Sequence, residues 1–291
     1  MKASTLFIHA LSPLHSGTGQ AVGVVDLPIS REATTGWPMV PGSSIKGTLR
    51  DRCEGLAEER SLLEQAFGPP SSSASDHAGE LVFGDAQLLL LPVRSFFGTF
   101  AWATCPLALD RLRRDQEATG IVPGFQVPAA PVSGKASVSS QSCLAHQGKV
   151  YLEDLDFDAH PDPGLDQVAQ VLAAQVFPRD EVWRAHLTAR VLLLAEDEFK
   201  YLAKVAIPVA ARIRMDDQTK TVAQGGLWYE EYLPAETVLS APLIAMPRTS
   251  SAEQLLDLAK RLVEGTIQLG GKASVGRGLV RMTLGGGGDA R

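Results

Sequence analysis

The sequence predicts an α+β fold, a ferredoxin-like (RRM-like) sandwich enlarged by insertions. Three observations predict it. An alternating apolar strand at 4–10 leads to a helix after residue 41, and an amphipathic helix at 251–264 leads to a closing strand at 279–284. Between these ends lie mostly strand patterns, without the regular strand–helix alternation of a parallel sheet. The 291 residues contain no obvious dividing linker. One elaborated domain over 1–284 is therefore expected, with insertions at about 95–180 and a flexible glycine-rich tail at 285–291.

Each element has a local reason. Residues 4–10 alternate and carry β-branched and aromatic side chains. From 12 to 36 Gly, Pro, Ser and Thr dominate, interrupted by Val24-Val25, and irregular segments of that length are usually functional or disordered. Pro41-Gly42-Ser43-Ser44 opens a helix that either serine could cap, with Ile45, Leu49, Cys53 and Leu56 at helical spacing. Residues 68–73 are a surface loop by composition. Residues 80–93 read as one buried strand, with Gly84 as a bulge or close-approach point. A short helix is expected at 107–117, and an extended, mobile excursion at 120–142, where small residues dominate. A strand follows at 150–155, a helix at 165–176, and an alternating strand at 186–194. Residues 207–215 and 220–232 flank Asp216-Asp217 as a projecting hairpin. A strand at 238–246 precedes the last helix, capped by Ser250 or Ser251.

Composition narrows the function classes. Hydrophobic residues make up 45% and charged residues 21%, the balance of a folded globular chain. No apolar stretch approaches the roughly 20 residues of a membrane helix. The first residues lack the apolar centre of a signal peptide, so no membrane and a cytoplasmic location are expected. Cys53, Cys105 and Cys143 are far apart and odd in number, which points to buried free thiols and to no structural zinc. A net charge of −6 argues against nucleic acid, but the charge is unevenly spread. Glu153, Asp154, Asp156, Asp158, Asp162 and Asp166 lie in one stretch without a base, whereas Lys272, Arg277 and Arg281 lie in another without an acid.

Four segments carry chemistry. In Leu14-His15-Ser16-Gly17-Thr18-Gly19 the glycines can bring amides close to an anion, although no P-loop spacing follows. Asp26 stands among Val24, Val25, Leu27 and Ile29 in a loop, either as a reactive carboxylate or as a solvated, N–H-capping one. Gly42, Ser43 and Ser44 offer a helix N-terminus to phosphate, and Lys46 and Arg50 share a helix face that could follow a sugar–phosphate backbone. A surface helix paired with Glu54 is the plainer alternative. Gly270, Gly271, Lys272, Gly276, Arg277 and Gly278 form a basic loop for close approach, or else a hairpin corner. In Trp228-Tyr229-Glu230-Glu231-Tyr232 an acid beside aromatics could move a proton or hold a metal. An edge strand with alternating buried Tyr and exposed Glu is the reading that the spacing alone favours.

The ordered set Leu14-His15-Ser16-Gly17-Thr18-Gly19-Gln20, Val25-Asp26-Leu27-Pro28-Ile29, the segment from Gly36-Trp37-Pro38 through Lys46-Gly47-Thr48-Leu49-Arg50, Tyr229-Glu230-Glu231-Tyr232-Leu233-Pro234, and Gly270 through Gly278 resembles the RAMP superfamily. Within that superfamily it is most similar to the backbone subunits of type III-B CRISPR effectors, from about residue 4 to 284. The resemblance implies a ferredoxin-like palm, irregular fingers and a hairpin thumb at about 205–228. It implies a filament of copies stacked head to tail along guide RNA (crRNA), beside other effector subunits. It further implies cleavage of target RNA at regular intervals with Mg²⁺ or another divalent cation. Asp26 matches the cleaving aspartate, as metal ligand or as base, and His15, Tyr229, Glu230 and Glu231 match accessory positions. Gly42, Ser43, Ser44, Lys46, Arg50 and the 270–278 loop match the guide-binding surface. A guide-binding scaffold without catalysis is the alternative. A metabolic hydrolase using His15 with Asp26 would lack a nucleophile elbow or metal-ligand spacing.

Overall fold

The computed structural model describes residues 1–19, 25–56, 60–70 and 77–286. In chain order the elements are β1 (Lys2–Ala10), β2 (Met39–Val40), α1 (Gly42–Glu54), α2 (Arg60–Phe67), β3 (Leu81–Phe83), β4 (Ala86–Arg94), β5 (Phe100–Thr104), α3 (Pro106–Ala118), β6 (Lys135–Val138) and β7 (Lys149–Leu152). They continue with β8 (Leu155–Pro161), α4 (Pro163–Val176), α5 (Glu181–Arg190), β9 (Val191–Leu193), α6 (Glu196–Val205), β10 (Val209–Met215), β11 (Val222–Glu231), β12 (Val238–Ala245), α7 (Ala252–Leu262), β13 (Thr266–Gln268) and β14 (Leu279–Gly285).

Strand β1 is buried from Ser4 to Ala10, and its low charge follows from that position. It pairs antiparallel with β12 on one side and β14 on the other, so Ile8 faces Leu239 and Met282. The order β14-β1-β12-β4, with α1 and α7 as crossovers, is that of the β-α-β-β-α-β unit expected from the sequence. Helix α7 buries Leu255, Leu258, Ala259 and Leu262, and the Ser251–Gln254 capping box sets its start.

The sheet continues beyond β4 through β5, β9, β6 and β8 to β7. A bridge between Ser95 and Leu152 then returns β7 to the end of β4, so these strands curl into a nearly closed ring. A second core of Phe7, Leu90, Trp102, Leu109, Leu172 and Val191 lies under helices α3 to α5. Hairpin β10–β11 stands apart as a two-stranded sheet, as its turn residues predict.

Several expectations need correction. The 186–194 alternation is the end of α5 followed by β9: Asp180 caps α5 by accepting from Trp183 N–H, and Leu187 alone is buried, which mimics a strand. The single strand at 80–93 breaks into β3 and β4 at Gly84-Asp85, and the 120–142 segment returns to the sheet as β6 with Ala136 and Val138 buried. Neither Ser43 nor Ser44 caps α1. Pro41 holds the cap position, and Gly42 N–H donates to Asp85 Oδ1 at 2.8 Å. Leu56 is exposed beyond the helix, and Cys143 is exposed while Cys53 and Cys105 are buried. Elements β2, α2, β5, β8, α6 and β13 lack a sequence expectation, and the strand expected at 150–155 breaks at the Glu153-Asp154 turn into β7 and the start of β8. Val24, residues 71–73 of the 68–73 loop and the tail from 287 lie outside the described residues. Among the described residues no helix is long and apolar enough to cross a membrane.

Glu80 ties the start of β3 to the turn before α7. Its carboxylate accepts from Thr249 N–H at 2.9 Å and Thr249 Oγ1 at 2.7 Å, and from the Ser250 amide and hydroxyl. Burial pushes the pKa up, but these hydrogen bonds outweigh it and hold the carboxyl at about 2 instead of 4.5. A depressed pKa gives stability that is whole above pH 4.5 and is lost as pH falls toward 2. Glu80→Gln is expected to cost roughly 1.5–3 kcal/mol at pH 7, with the deficit shrinking below pH 4.5. Melting curves of both proteins across that range check this, and a deficit independent of pH refutes it.

Candidate functional site

The described residues of the loop before β2 form only isolated bridges, so their backbone groups need partners elsewhere. They find them on β11 and on the loop between β13 and β14. Leu14 bridges Leu233, His15 bridges Gly271, and Leu27 bridges Glu230. Leu27 N–H donates to Tyr229 O at 3.0 Å, Glu231 N–H returns to Leu27 O at 3.0 Å, and Gly271 N–H donates to His15 O at 2.9 Å. Two loops from opposite ends of the chain thus meet on one strand.

The glycines have a specific task in this junction. Gly270 has φ +75°, and a Cβ there would lie 2.5 Å from His15 O. Gly278 has φ +79°, and a Cβ would lie 2.1 Å from Leu269 O. Both positions require glycine so that backbone can meet backbone. Lys272 and Gly276 also adopt left-handed conformations, at either end of a 3₁₀ turn. Gly42 likewise abuts Phe83 O, where a Cβ would come within 2.3 Å.

Asp26 is exposed at the lip of this junction, and its Oδ2 accepts the Tyr229 N–H at 2.8 Å. Its other oxygen has no partner among the described residues. Tyr229 is 43% exposed beside it. His15 is buried, and its Nδ1 lies 2.9 Å from Glu231 O. A carbonyl only accepts, so Nδ1 carries the proton and a neutral ring leaves Nε2 as the basic nitrogen. Nε2 packs against Gly17, where a Cβ would sit 2.7 Å away.

Glu230 and Glu231 are both buried, whereas the edge-strand reading leaves them exposed. Each is buried because cations meet it. Glu230 accepts from Lys272 Nζ at 2.8 Å, Trp228 Nε1 at 2.7 Å and Arg212 Nε at 3.3 Å. Burial raises its pKa, but the Lys272 and Trp228 hydrogen bonds, the Lys272 charge and Arg212 prevail and hold it below the usual range. Glu231 accepts from Ile29 N–H at 3.0 Å and Arg31 Nη2 at 2.5 Å. Arg31 also donates to Gly36 O and Ala203 O, locking the Asp26 loop onto β11 and α6. Buried Tyr232 packs between His15 and Arg277, whose guanidinium lies 4.3 Å from the ring centroid.

Residues of α1 are committed differently. Arg50 pairs with Glu54 at 3.2 Å and donates to Gly68 O and Pro69 O, which closes the end of α2. The pairing is the plainer alternative read from sequence. Asp85 already takes the Gly42 amide that a phosphate would use, Ser43 is exposed and Ser44 half-buried. Lys46 is half-buried and has no partner among the described residues. The structure thus brings His15, Asp26, Tyr229, Glu230, Glu231, Gly270, Gly271, Lys272 and Arg277 together. Among the described residues no side-chain hydrogen bond or ion pair ties α1 to them.

Arg31, Arg212 and Tyr232 are contributors that sequence reasoning misses. Arg212 has a signal: across a hairpin centred on Asp216-Asp217 it falls opposite Trp228, a diagonal step from Glu230. Arg31 has none, since its partner lies 200 residues away. Among the described residues no three His, Cys, Asp or Glu side chains gather as a metal centre.

A family model described as the RAMP superfamily matches residues 7–281. The chain is 35% identical over 291 residues to the CRISPR system Cmr endoribonuclease Cmr4 of Pyrococcus furiosus, which covers 98% of this chain and 96% of that protein. The crystal structure of oligomeric Cmr4 from Pyrococcus furiosus shares the fold with a TM-score of 0.75 at 29% identity, covering 98% of both chains. A cryo-EM structure of type III-B Cmr-beta bound to cognate target RNA shares the fold at 21% identity and a TM-score of 0.74, covering 98% of this chain and 97% of that one.

Proposed function

The chain belongs to the RAMP superfamily, and on that footing we propose that it is the repeated backbone subunit of a type III-B CRISPR ribonucleoprotein. In this reading copies stack along guide RNA in the cytoplasm, with other effector subunits, and cut the complementary target RNA. The observation that carries it is Asp26. Its exposed carboxylate accepts the Tyr229 N–H of β11, while the neighbouring Glu230 and Glu231 are neutralised by Lys272, Arg212 and Arg31. Extensive identity to a protein named an endoribonuclease supports the same reading.

The reaction proposed is attack of a ribose 2′-oxygen on the adjacent phosphorus. The bond to O2′ forms and the bond to O5′ breaks, leaving a 2′,3′-cyclic phosphate and a 5′-hydroxyl. The 2′-hydroxyl proton leaves to a base, and the departing 5′-oxygen gains one. Asp26 accepts the proton or holds a divalent cation. Hairpin β10–β11, with Ile213, Met215, Val222 and Leu227 exposed, serves as the thumb that kinks the target strand, which aligns nucleophile and leaving group. Mg²⁺ keeps several waters and takes its remaining ligands from phosphate, so one carboxylate, Asp26, suffices as its protein ligand. Such an ion would supply charge neutralisation at the phosphate. His15 and Glu231 position the loop.

The test uses the natively assembled complex with its guide. Incubation with complementary RNA is expected to release fragments at constant spacing with cyclic-phosphate ends, and an intact target would leave only the scaffold role. Lys46→Glu is expected to weaken guide binding for every sequence and to reduce the slope of log affinity against log salt by about 0.7. A salt titration of guide affinity checks it, and an unchanged slope removes α1 from the RNA surface.

A further inference from the structure

The acidic stretch after β7 is not explained by RNA handling. Two of its members have structural duties: Asp162 caps α4, and Asp166 accepts from Ser140 N–H. Of the others, Glu153, Asp154 and Asp156 rim a cleft of about 520 Å³ between the β4–β5 turn and the end of β7. Its wall is aromatic. Phe97 stacks on His146 at 4.4 Å, Tyr151 lies edge-on to Phe96, and Phe96 is 82% exposed. Phe96 N–H donates to Tyr151 O and Glu153 N–H to Arg94 O, so the wall stands on a fixed backbone. An exposed aromatic surface rimmed by charge marks an interaction site.

The rim selects the partner. Arg94 meets Glu153 at 2.9 Å, and Lys149 meets Asp156 at 2.7 Å and Asp158 at 3.5 Å. Asp154 has no partner among the described residues, so the cleft's three carboxylates meet only Arg94 and a Lys149 already shared with Asp158. Aromatic faces beside excess carboxylate attract a guanidinium or ammonium group and repel phosphate. The chain itself carries a net charge of −6, which disfavours a second copy as the occupant.

We propose that this cleft docks an arginine- or lysine-bearing segment of a different polypeptide within the assembly, a proposal that rests on the effector-subunit reading above. The test places the photo-crosslinking residue p-benzoylphenylalanine at Phe96 in the natively purified complex, and mass spectrometry identifies the product. The expected product joins a cationic peptide of another subunit, and Asp154→Asn with Asp156→Asn lowers its yield at least tenfold. A crosslink to RNA, to another copy of this chain or to a peptide without Lys or Arg overturns the proposal. So does an unchanged yield in the Asn variant, or no crosslink in a complex that still contains RNA. Absence of RNA from the purified protein would instead count against the effector-subunit reading itself.

Discussion

Asp26→Asn is expected to leave assembly and target binding intact while slowing target cleavage by about 10²–10⁴-fold, the usual contribution of a positioned acid–base group. The substitution is conservative where it matters for folding. Asn keeps an oxygen to accept the Tyr229 N–H, and the side chain is exposed, so little packing changes. What disappears is the negative charge needed either to take a proton or to bind a cation. Single-turnover cleavage by assembled variant complexes, with target binding measured in parallel, separates the two effects. Cutting at the parental rate would move the chemistry to another residue. Joint loss of binding and cutting would make Asp26 a structural residue of the lip.

Glu231→Ala has the largest expected effect on stability, roughly 3 kcal/mol, because it leaves Arg31 and the Ile29 amide without their acceptor. Arg31 would still bond Gly36 and Ala203, but the Asp26 loop would be held to β11 only by the hydrogen bonds of Asp26 and Leu27 with Tyr229 and the Glu231 amide. Urea unfolding measures the first consequence, and cleavage by the folded fraction measures the second. Glu231→Gln distinguishes the two contributions. It retains an acceptor for Ile29 N–H while losing the charge opposite Arg31, so it should recover part of the stability. Equal losses in the Ala and Gln variants would show that charge alone matters. No loss in either would remove Glu231 as a positioning residue.

The ends of the chain were legible because their signals are local. β-Branched and aromatic residues mark β1, although its continuous burial overrides the expected alternation, and a serine capping box marks α7. The middle was less so. Strand β5 is buried on both faces, so Ala101, Trp102 and Ala103 show no alternation, and β9 spans only three residues. Residues 186–190 alternate by accident on a helix that buries little. At the site, Asp26 and His15 could be picked out by resemblance, but not the burial of Glu230 and Glu231. That burial depends on Lys272, Arg212 and Arg31, which are remote in sequence. The glycines were read as room for phosphate. Gly270, Gly278 and Gly42 prove to be pressed against the protein's own carbonyl groups.

The placement of β1 between β12 and β14 governs when this molecule becomes competent. During synthesis the first strand emerges long before either neighbour exists, and it must wait for the entire intervening polypeptide. A translation product that stops short of the turn before β14 holds Asp26 but lacks the Gly271 amide that meets His15 and the Lys272 ammonium that meets Glu230. Two of the contacts that build the candidate site are therefore completed only once the segment before β14 has been made.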